Sequence, residues 1–205
     1  MSKIENFNKL TAAETERLAM LSEEAGEVVQ AASQMLKDGP YSENLDGALE
    51  DNVGDLGREV ADLLAVADFM EADISIEAFS NYYAKNESEY ENPYSGALKE
   101  MSALGNTIVV NGVDLAGMEQ LHTLSTRAAK IVQTVGKVLR HGYDSFHPDR
   151  PEQSNRQLLT LDLFDFWIAV PYLPDDFFED VQDDYEDIMA RKMRYTHPQK
   201  LKLVA

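Results

Sequence analysis

The chain has 205 residues, a formal net charge of −19, 44% hydrophobic residues and no cysteine. This length leaves room for one sizeable core, and the lack of cysteine excludes disulfides and thiolate metal sites. The negative charge argues against direct binding to nucleic acid, because such binding needs Lys and Arg beside the phosphates. The longest uncharged run, 101–113, is too short to span a bilayer. We therefore expect a soluble cytoplasmic protein that binds neither nucleic acid nor membrane.

Helical periodicity dominates the first half of the chain. Apolar residues that recur every three or four positions predict helices at about 11–37, 52–71 and 75–91. The sequence DGP ends the first of these helices. Strand signals are scarce, and the apolar run TIVV at 107–110 is short and lies in a connector rich in Gly and Asn. The pattern predicts an all-α fold.

The second half of the chain repeats the first. LSEEAGEVVQAASQMLKDG at 21–39 aligns without a gap with LSTRAAKIVQTVGKVLRHG at 124–142, with seven identities in nineteen positions. The same offset of 103 positions pairs Asn52 with Asn155. In a repeat protein each unit buries its apolar face against its neighbour. The alignment predicts an internal duplication within one compact unit.

Two pairs of carboxylates continue the apolar rows of the first two predicted helices. Glu24 and Glu27 are three residues apart on the first helix, and Glu59 and Asp62 repeat that spacing on the second. Buried carboxylates at such close range are unfavourable unless a cation lies among them. Hard oxygen ligands of this kind suit Mg²⁺, with Mn²⁺ as an alternative. The spacing predicts a divalent-metal site, whereas each acidic residue taken alone is typical of a solvated helix surface.

At these carboxylates the chain resembles a known family. EEAGE at 23–27, followed by EVAD at 59–62, is similar to the ExxE and ExxD motifs of the MazG-like all-α nucleoside triphosphate pyrophosphohydrolases, whose superfamily includes the dimeric dUTPases and the dCTP pyrophosphatases. LRHGYDSFHPDRPEQSNRQLL at 139–159 resembles the loop and second-helix start of phage-type members. The resemblance implies a helical bundle of two tandem MazG-like repeats from a bacterial or phage-infected cell. Its implied divisions are a single all-α domain 1–205, a catalytic repeat 8–91, a connector 92–113 and a degenerate repeat 114–197.

The resemblance also implies an activity. The expected reaction is hydrolysis between the α and β phosphates of a nucleoside triphosphate, most often a deoxynucleotide, to give the monophosphate and pyrophosphate. The implied ligands of the Mg²⁺ are Glu24, Glu27, Glu59 and Asp62. A metal held there polarises phosphoryl oxygens and lowers the pKa of an attacking water. Glu24 is the candidate to orient that water, and Glu23 to support it.

The third predicted helix contains AKNE at 84–87, which is similar to a Lys and Asn of the family. The resemblance implies that Lys85 contacts phosphate and that Asn86 contacts metal or phosphate. Taken alone, Lys85 is equally typical of an ordinary surface lysine.

The second repeat has lost half of the carboxylate pattern. Thr126, Arg127 and Lys130 occupy the positions of the three glutamates, opposite Asp162 and Asp165. Two fixed cations there can pair with the two aspartates inside the bundle. We therefore expect this repeat to lack a metal and to contribute half of the bundle.

The loop of the second repeat is a candidate for contact with the nucleobase. Its polar residues are also what an ordinary surface loop contains. The candidate substrate-binding residues of this loop are His141, Tyr143, Asn155 and Arg156.

Other functions fit the sequence less well. A di-iron bundle needs two Glu-x-x-His motifs, and the chain has one candidate, Glu119 with His122. Phosphate-binding glycine motifs and a Ser-His-Asp set are not apparent. The alternative from another class is a non-enzymatic acidic helical protein that mimics nucleic acid and occupies a basic partner. Because a duplicated chain can imitate a dimer, we expect a monomer or a homo-oligomer of duplicated chains.

Overall fold

The computed structural model describes residues 8–42, 51–70, 73–74, 109–148 and 150–172, with Ile188, Ala190 and Lys192. These residues are mostly helical. The elements are α1 (Ala12–Asp38), α2 (Asn52–Asp68), β1 (Val109–Val110), β2 (Val113–Asp114), α3 (Leu115–His141), β3 (Phe146–His147), β4 (Arg150–Ser154), α4 (Asn155–Ala169) and a 3-10 turn (Val170–Tyr172). The predicted first two helices are confirmed, with α2 ending three residues earlier than expected. The predicted helix at 75–91 lies outside the described residues.

The helix boundaries follow from local capping groups. Thr11 and Glu14 form a capping box at the start of α1, because each side chain bonds the backbone N–H of the other residue. Asp51 caps α2 by accepting hydrogen bonds from two backbone N–H groups. Gly39 ends α1 with a φ of 93°, in the left-handed region that favours glycine. The sequence DGP therefore ends the helix at the predicted place.

Three helix pairs build the core. α1 packs against both α2 and α3, and α3 packs against α4. The start of α1 lies at the end of α3, because Asn8 Nδ2 donates to the Leu139 carbonyl, and Asn111 Nδ2 likewise donates to the Lys37 carbonyl. The two long helices are thus antiparallel. Their fully buried residues form one cluster with those of α2 and α4. The largest are Phe166, Leu18, Leu21, Leu56, Leu63, Leu121, Leu124, Ile131 and Leu159.

The two halves carry matching backbone features at the predicted offset. Gly142 ends α3 with a φ of 84° and a ψ of 165°, and Gly39 has nearly the same values, 93° and 164°. Asn52 donates to the Gly39 carbonyl at 2.6 Å, and Asn155 donates to the Gly142 carbonyl at 2.9 Å. Each buried amide joins the end of one helix to the start of the next. These matches agree with the sequence alignment.

Two short antiparallel hairpins connect the helices. β1 pairs with β2 immediately before α3, within the connector where TIVV was the weak strand signal. β3 pairs with β4 between α3 and α4, which the sequence did not predict. The fold is therefore mostly helical but not purely so. In the described part of the chain, no helix has the length and apolarity needed to cross a membrane.

Candidate metal centre

Antiparallel packing of α1 and α2 brings the predicted carboxylates together. Asn52 lies beside the end of α1, so α2 runs back along α1 and its middle faces the middle of α1. Glu24 is 3% exposed, Glu59 7% and Asp62 2%, whereas Glu27 lies at the open edge of the group. The acidic residues therefore form a largely buried cluster and not a solvated face.

Three of the four predicted ligands converge on one position. One carboxylate oxygen from each of Glu24, Glu27 and Glu59 lies within 4.8 Å of the other two, a spacing that could hold a metal ion. Glu24 Oε2 and Glu59 Oε2 are buried and accept no hydrogen bond within the described structure. A buried carboxylate oxygen without a partner is costly, and a bound cation would remove that cost. The donor set fits Mg²⁺ or Mn²⁺, which prefer oxygen ligands.

The fourth predicted ligand, Asp62, is bound to a lysine from the C-terminal part of the chain. Lys192 Nζ lies 2.6 Å from Glu24 Oε1 and 2.9 Å from Asp62 Oδ2. Its side chain is only 16% exposed. Lys192 was not among the predicted site residues, because it follows Asp62 by 130 positions and occurs in no motif. The Lys85 and Asn86 that the resemblance implied lie outside the described residues.

The protonation of the cluster follows from burial and from the neighbouring charges. Burial raises the pKa of Glu24, although the hydrogen bond from Lys192 opposes the rise. Burial also raises the pKa of Glu59 to about 7, with Arg58 opposing and Glu27 adding to the rise. Burial lowers the pKa of Lys192, but the hydrogen bonds to Glu24 and Asp62 together with the negative charges of those two carboxylates outweigh burial, so the pKa is raised overall. The lysine is thus charged, and Glu59 is poised to lose its proton near neutral pH.

Glu23 and Arg58 lie at the border of the cluster. Glu23 is exposed, which suits a supporting role more than direct contact with a metal. Arg58 Nη1 lies 2.8 Å from Glu59 Oε1, on a side chain that is 40% exposed. One oxygen of Glu59 is therefore paired with a cation, while its other oxygen, Oε2, is buried without a hydrogen-bond partner in the described structure.

The equivalent place in the second half contains fixed cations. Arg127, at the position of Glu24, lies 3.7 Å from Asp165 and also donates to its backbone carbonyl. The expected pairing of Arg127 is confirmed. Lys130 is exposed, and Asp162 instead accepts a 2.6 Å hydrogen bond from Thr134. Burial raises the pKa of Asp162, which Thr134 and then Lys130 oppose. The charge of Lys130 thus opposes the rise in the pKa of Asp162 from an exposed position, and not from within the bundle.

The loop residues predicted to contact substrate divide into two groups. His141, Tyr143 and Arg156 line a polar cavity of about 210 Å³ near the start of α1. Asn155 is 4% exposed and its amide is used in joining α3 to α4, so it has a structural role. The cavity includes Glu14, ten residues before Glu24, which is roughly 15 Å along the helix. Whether this loop binds a nucleobase stays a prediction.

Charged and polar contacts join this cavity to α1 and to Asp73, which follows α2. Arg17 binds Asp73 through two hydrogen bonds of 2.6 and 3.0 Å, and Arg156 donates to the Asp73 carbonyl. Arg156 also lies over the Tyr143 ring, 4.4 Å from its centre. Burial raises the pKa of Tyr143 well above its usual value. These contacts fix Arg156 and Tyr143 in place before any ligand arrives.

A larger apolar cavity lies between α2 and α4. Its volume is about 540 Å³, and it is lined by aliphatic residues of α2 together with Phe164, Phe166 and Trp167 of α4. Trp167 is 58% exposed and stacks on Phe164 with 6.0 Å between ring centres.

Comparison of the chain with protein-family models, curated proteins and solved structures finds no match. Function is therefore inferred from the sequence pattern and the geometry of the site.

Proposed function

We propose that this protein is a Mg²⁺-dependent nucleoside triphosphate pyrophosphohydrolase built from two tandem MazG-like repeats. The observation that carries the proposal is the buried convergence of Glu24, Glu27 and Glu59, with two carboxylate oxygens that lack a hydrogen-bond partner in the described structure. This arrangement follows from the ExxE and ExxD spacings on antiparallel helices. A cation site with an open side suits an anionic phosphate substrate despite the net charge of −19.

The residues of the cluster have distinct roles in this proposal. Glu24, Glu27 and Glu59 hold the divalent ion, which supplies phosphate polarisation and a more acidic water. The open edge at Glu27 is the side from which a triphosphate enters. Lys192 and Arg58 bring positive charge to a substrate that carries several negative charges. Water attacks one phosphorus atom of the α–β anhydride, and the bond from that phosphorus to the bridging oxygen breaks. The products are the nucleoside monophosphate, pyrophosphate and a proton.

The alternative function, a non-enzymatic acidic mimic of nucleic acid, predicts a uniformly exposed acidic face. Glu24, Glu59 and Asp62 are each more than nine-tenths buried. A mimic gains nothing from carboxylates that a basic partner cannot reach, because burying them costs free energy. Burial therefore favours the enzyme. Cytoplasmic location follows from this proposal, since the substrates are cytoplasmic nucleotides.

A substrate screen tests the proposal. Natural and modified ribo- and deoxynucleoside triphosphates are incubated with the protein and Mg²⁺, and pyrophosphate and orthophosphate are measured separately. The proposal predicts pyrophosphate release from at least one nucleotide and none after chelation of the metal. Failure to release pyrophosphate from any nucleotide would favour the binding-protein alternative.

A further inference from the structure

The acidic cluster contains two adjacent cation positions that share Glu24. The first is the open position, to which Glu24, Glu27 and Glu59 each offer one carboxylate oxygen. Glu24 Oε2 and Glu59 Oε2 are both buried without a hydrogen-bond partner in the described structure. The second lies on the other oxygen of Glu24, where Lys192 Nζ is 2.6 Å from Glu24 Oε1 and 2.9 Å from Asp62 Oδ2. A carboxylate that serves one cation with each oxygen is the arrangement by which two metals are bridged in two-metal hydrolytic sites.

We infer that Lys192 is a built-in second cation, so that the centre binds one divalent ion and a lysine ammonium where a second metal would otherwise bind. The inference rests on the proposed function for the chemistry of the first position. It assigns Asp62 to the lysine and not to the metal, in contrast to the four-ligand site that the sequence pattern predicted. An ammonium is a compact point charge with three donors, which suits a position between two carboxylate oxygens.

The second half of the chain supports this assignment. Arg127 takes the place of Glu24 there and pairs with Asp165, which takes the place of Asp62. In both halves the aspartate that ends the motif is therefore paired with a side-chain cation. In the first half the cation is Lys192, which comes from a distant part of the chain and not from α1. The α1 position that Arg127 occupies in the second half is therefore a glutamate, Glu24, which also offers an oxygen to the open position.

The lysine also has a consequence for substrate binding. A metal ion in the second position could exchange ligands with phosphate oxygens, whereas an ammonium only donates hydrogen bonds and keeps its place on the chain. Lys192 therefore supplies positive charge without depending on metal concentration. We expect a simple one-site dependence of activity on Mg²⁺.

Metal stoichiometry tests the inference. Mn²⁺ is titrated into the metal-free full-length chain, and bound ions are counted by calorimetry and by the electron paramagnetic resonance of free Mn²⁺. Wild type should bind one ion per chain. Lys192→Met keeps the length of the side chain but opens the second position, so it should bind two. Lys192→Arg should restore one.

Arg127→Met is the matched control, because it removes the cation that pairs with Asp165, the equivalent aspartate of the second half. This variant should still bind one Mn²⁺ ion per chain. Two ions in wild type, or one in Lys192→Met, would overturn the inference while leaving the proposed function intact. If wild type bound none, the metal centre and the proposed function would both fail. If Lys192→Met does not fold, the number of Mn²⁺ ions bound by wild type is the test. One ion per chain supports the inference, and two ions overturn it.

Discussion

Glu59 should make the metal-free protein less stable as the pH rises. Its pKa of about 7 in the folded state exceeds the usual 4.5, chiefly because the carboxyl is buried. The folded state therefore holds the proton more tightly than the unfolded state. The stability that this proton contributes is fully present below pH 4.5 and is lost as the pH rises through 7. The rise in pKa corresponds to about 3 kcal/mol of unfolding free energy.

The substitution Glu59→Gln isolates this effect, because glutamine resembles the protonated glutamate. Without metal, the variant should be more stable than wild type by about 3 kcal/mol at pH ~8 and by less than about 1 kcal/mol at pH ~5. Urea unfolding in chelator at both values measures the difference. Exposed Glu23→Gln, on the neighbouring helix, is the control and should follow wild type.

Divalent metal should reverse this order of stabilities. A cation among the carboxylates favours the ionised form of Glu59, so saturating Mg²⁺ should make wild type more stable than Glu59→Gln at pH ~8. If the difference in unfolding free energy between wild type and Glu59→Gln does not change with pH in chelator, the reasoning about burial is refuted. If that difference changes with pH but is the same with and without Mg²⁺, only the metal position is refuted.

Three further predictions test the site and the scaffold. Glu27→Gln should lower pyrophosphate release roughly 100-fold or more at saturating Mg²⁺ with little loss of stability, because it removes a metal ligand at the open edge; near-normal turnover would exclude the site. Gly142→Ala should destabilise the fold by several kcal/mol in urea unfolding, since the new Cβ would lie 2.3 Å from a backbone oxygen. At Gly136 a new Cβ meets nothing within 4 Å, so Gly136→Ala should stabilise the fold by up to ~1 kcal/mol. Equal effects of the two substitutions would contradict the role given to Gly142. Arg127→Met should lower the melting temperature more than Lys130→Met, because only Arg127 pairs inside the bundle; the reverse order would contradict the account of the second half.

The sequence pattern predicted the parts of the fold that repeat locally. Periodic apolar residues and the DGP stop placed α1, and the ExxE and ExxD spacings placed three carboxylates within reach of one ion. The offset of 103 positions predicted that Asn52 and Asn155 are equivalent, and their amides make equivalent bonds. These features depend on helix geometry, which sequence spacing reports directly.

Features that depend on distant contacts were not visible in the sequence. Lys192 has no local pattern to distinguish it from other lysines, and its role arises only from tertiary contact with Glu24 and Asp62. The strand Arg150–Ser154 consists of residues that rarely favour strands, so the hairpin depends on its surroundings. Lys130 was expected to pair with an aspartate inside the bundle, but its side chain is exposed, since a long side chain at the edge of a helix reaches water.

The central claim is that the carboxylates of the first half, and not their equivalents in the second, perform metal-dependent hydrolysis. The most direct test compares pyrophosphate release from the best nucleotide by wild type, Glu59→Gln and Asp162→Asn in saturating Mg²⁺. Asp162 occupies the position equivalent to Glu59 and hydrogen-bonds Thr134 instead of facing an open cation position. We predict that Glu59→Gln loses roughly 100-fold or more of the rate, while Asp162→Asn retains it. Equal losses in the two variants, or none in Glu59→Gln, would contradict the account.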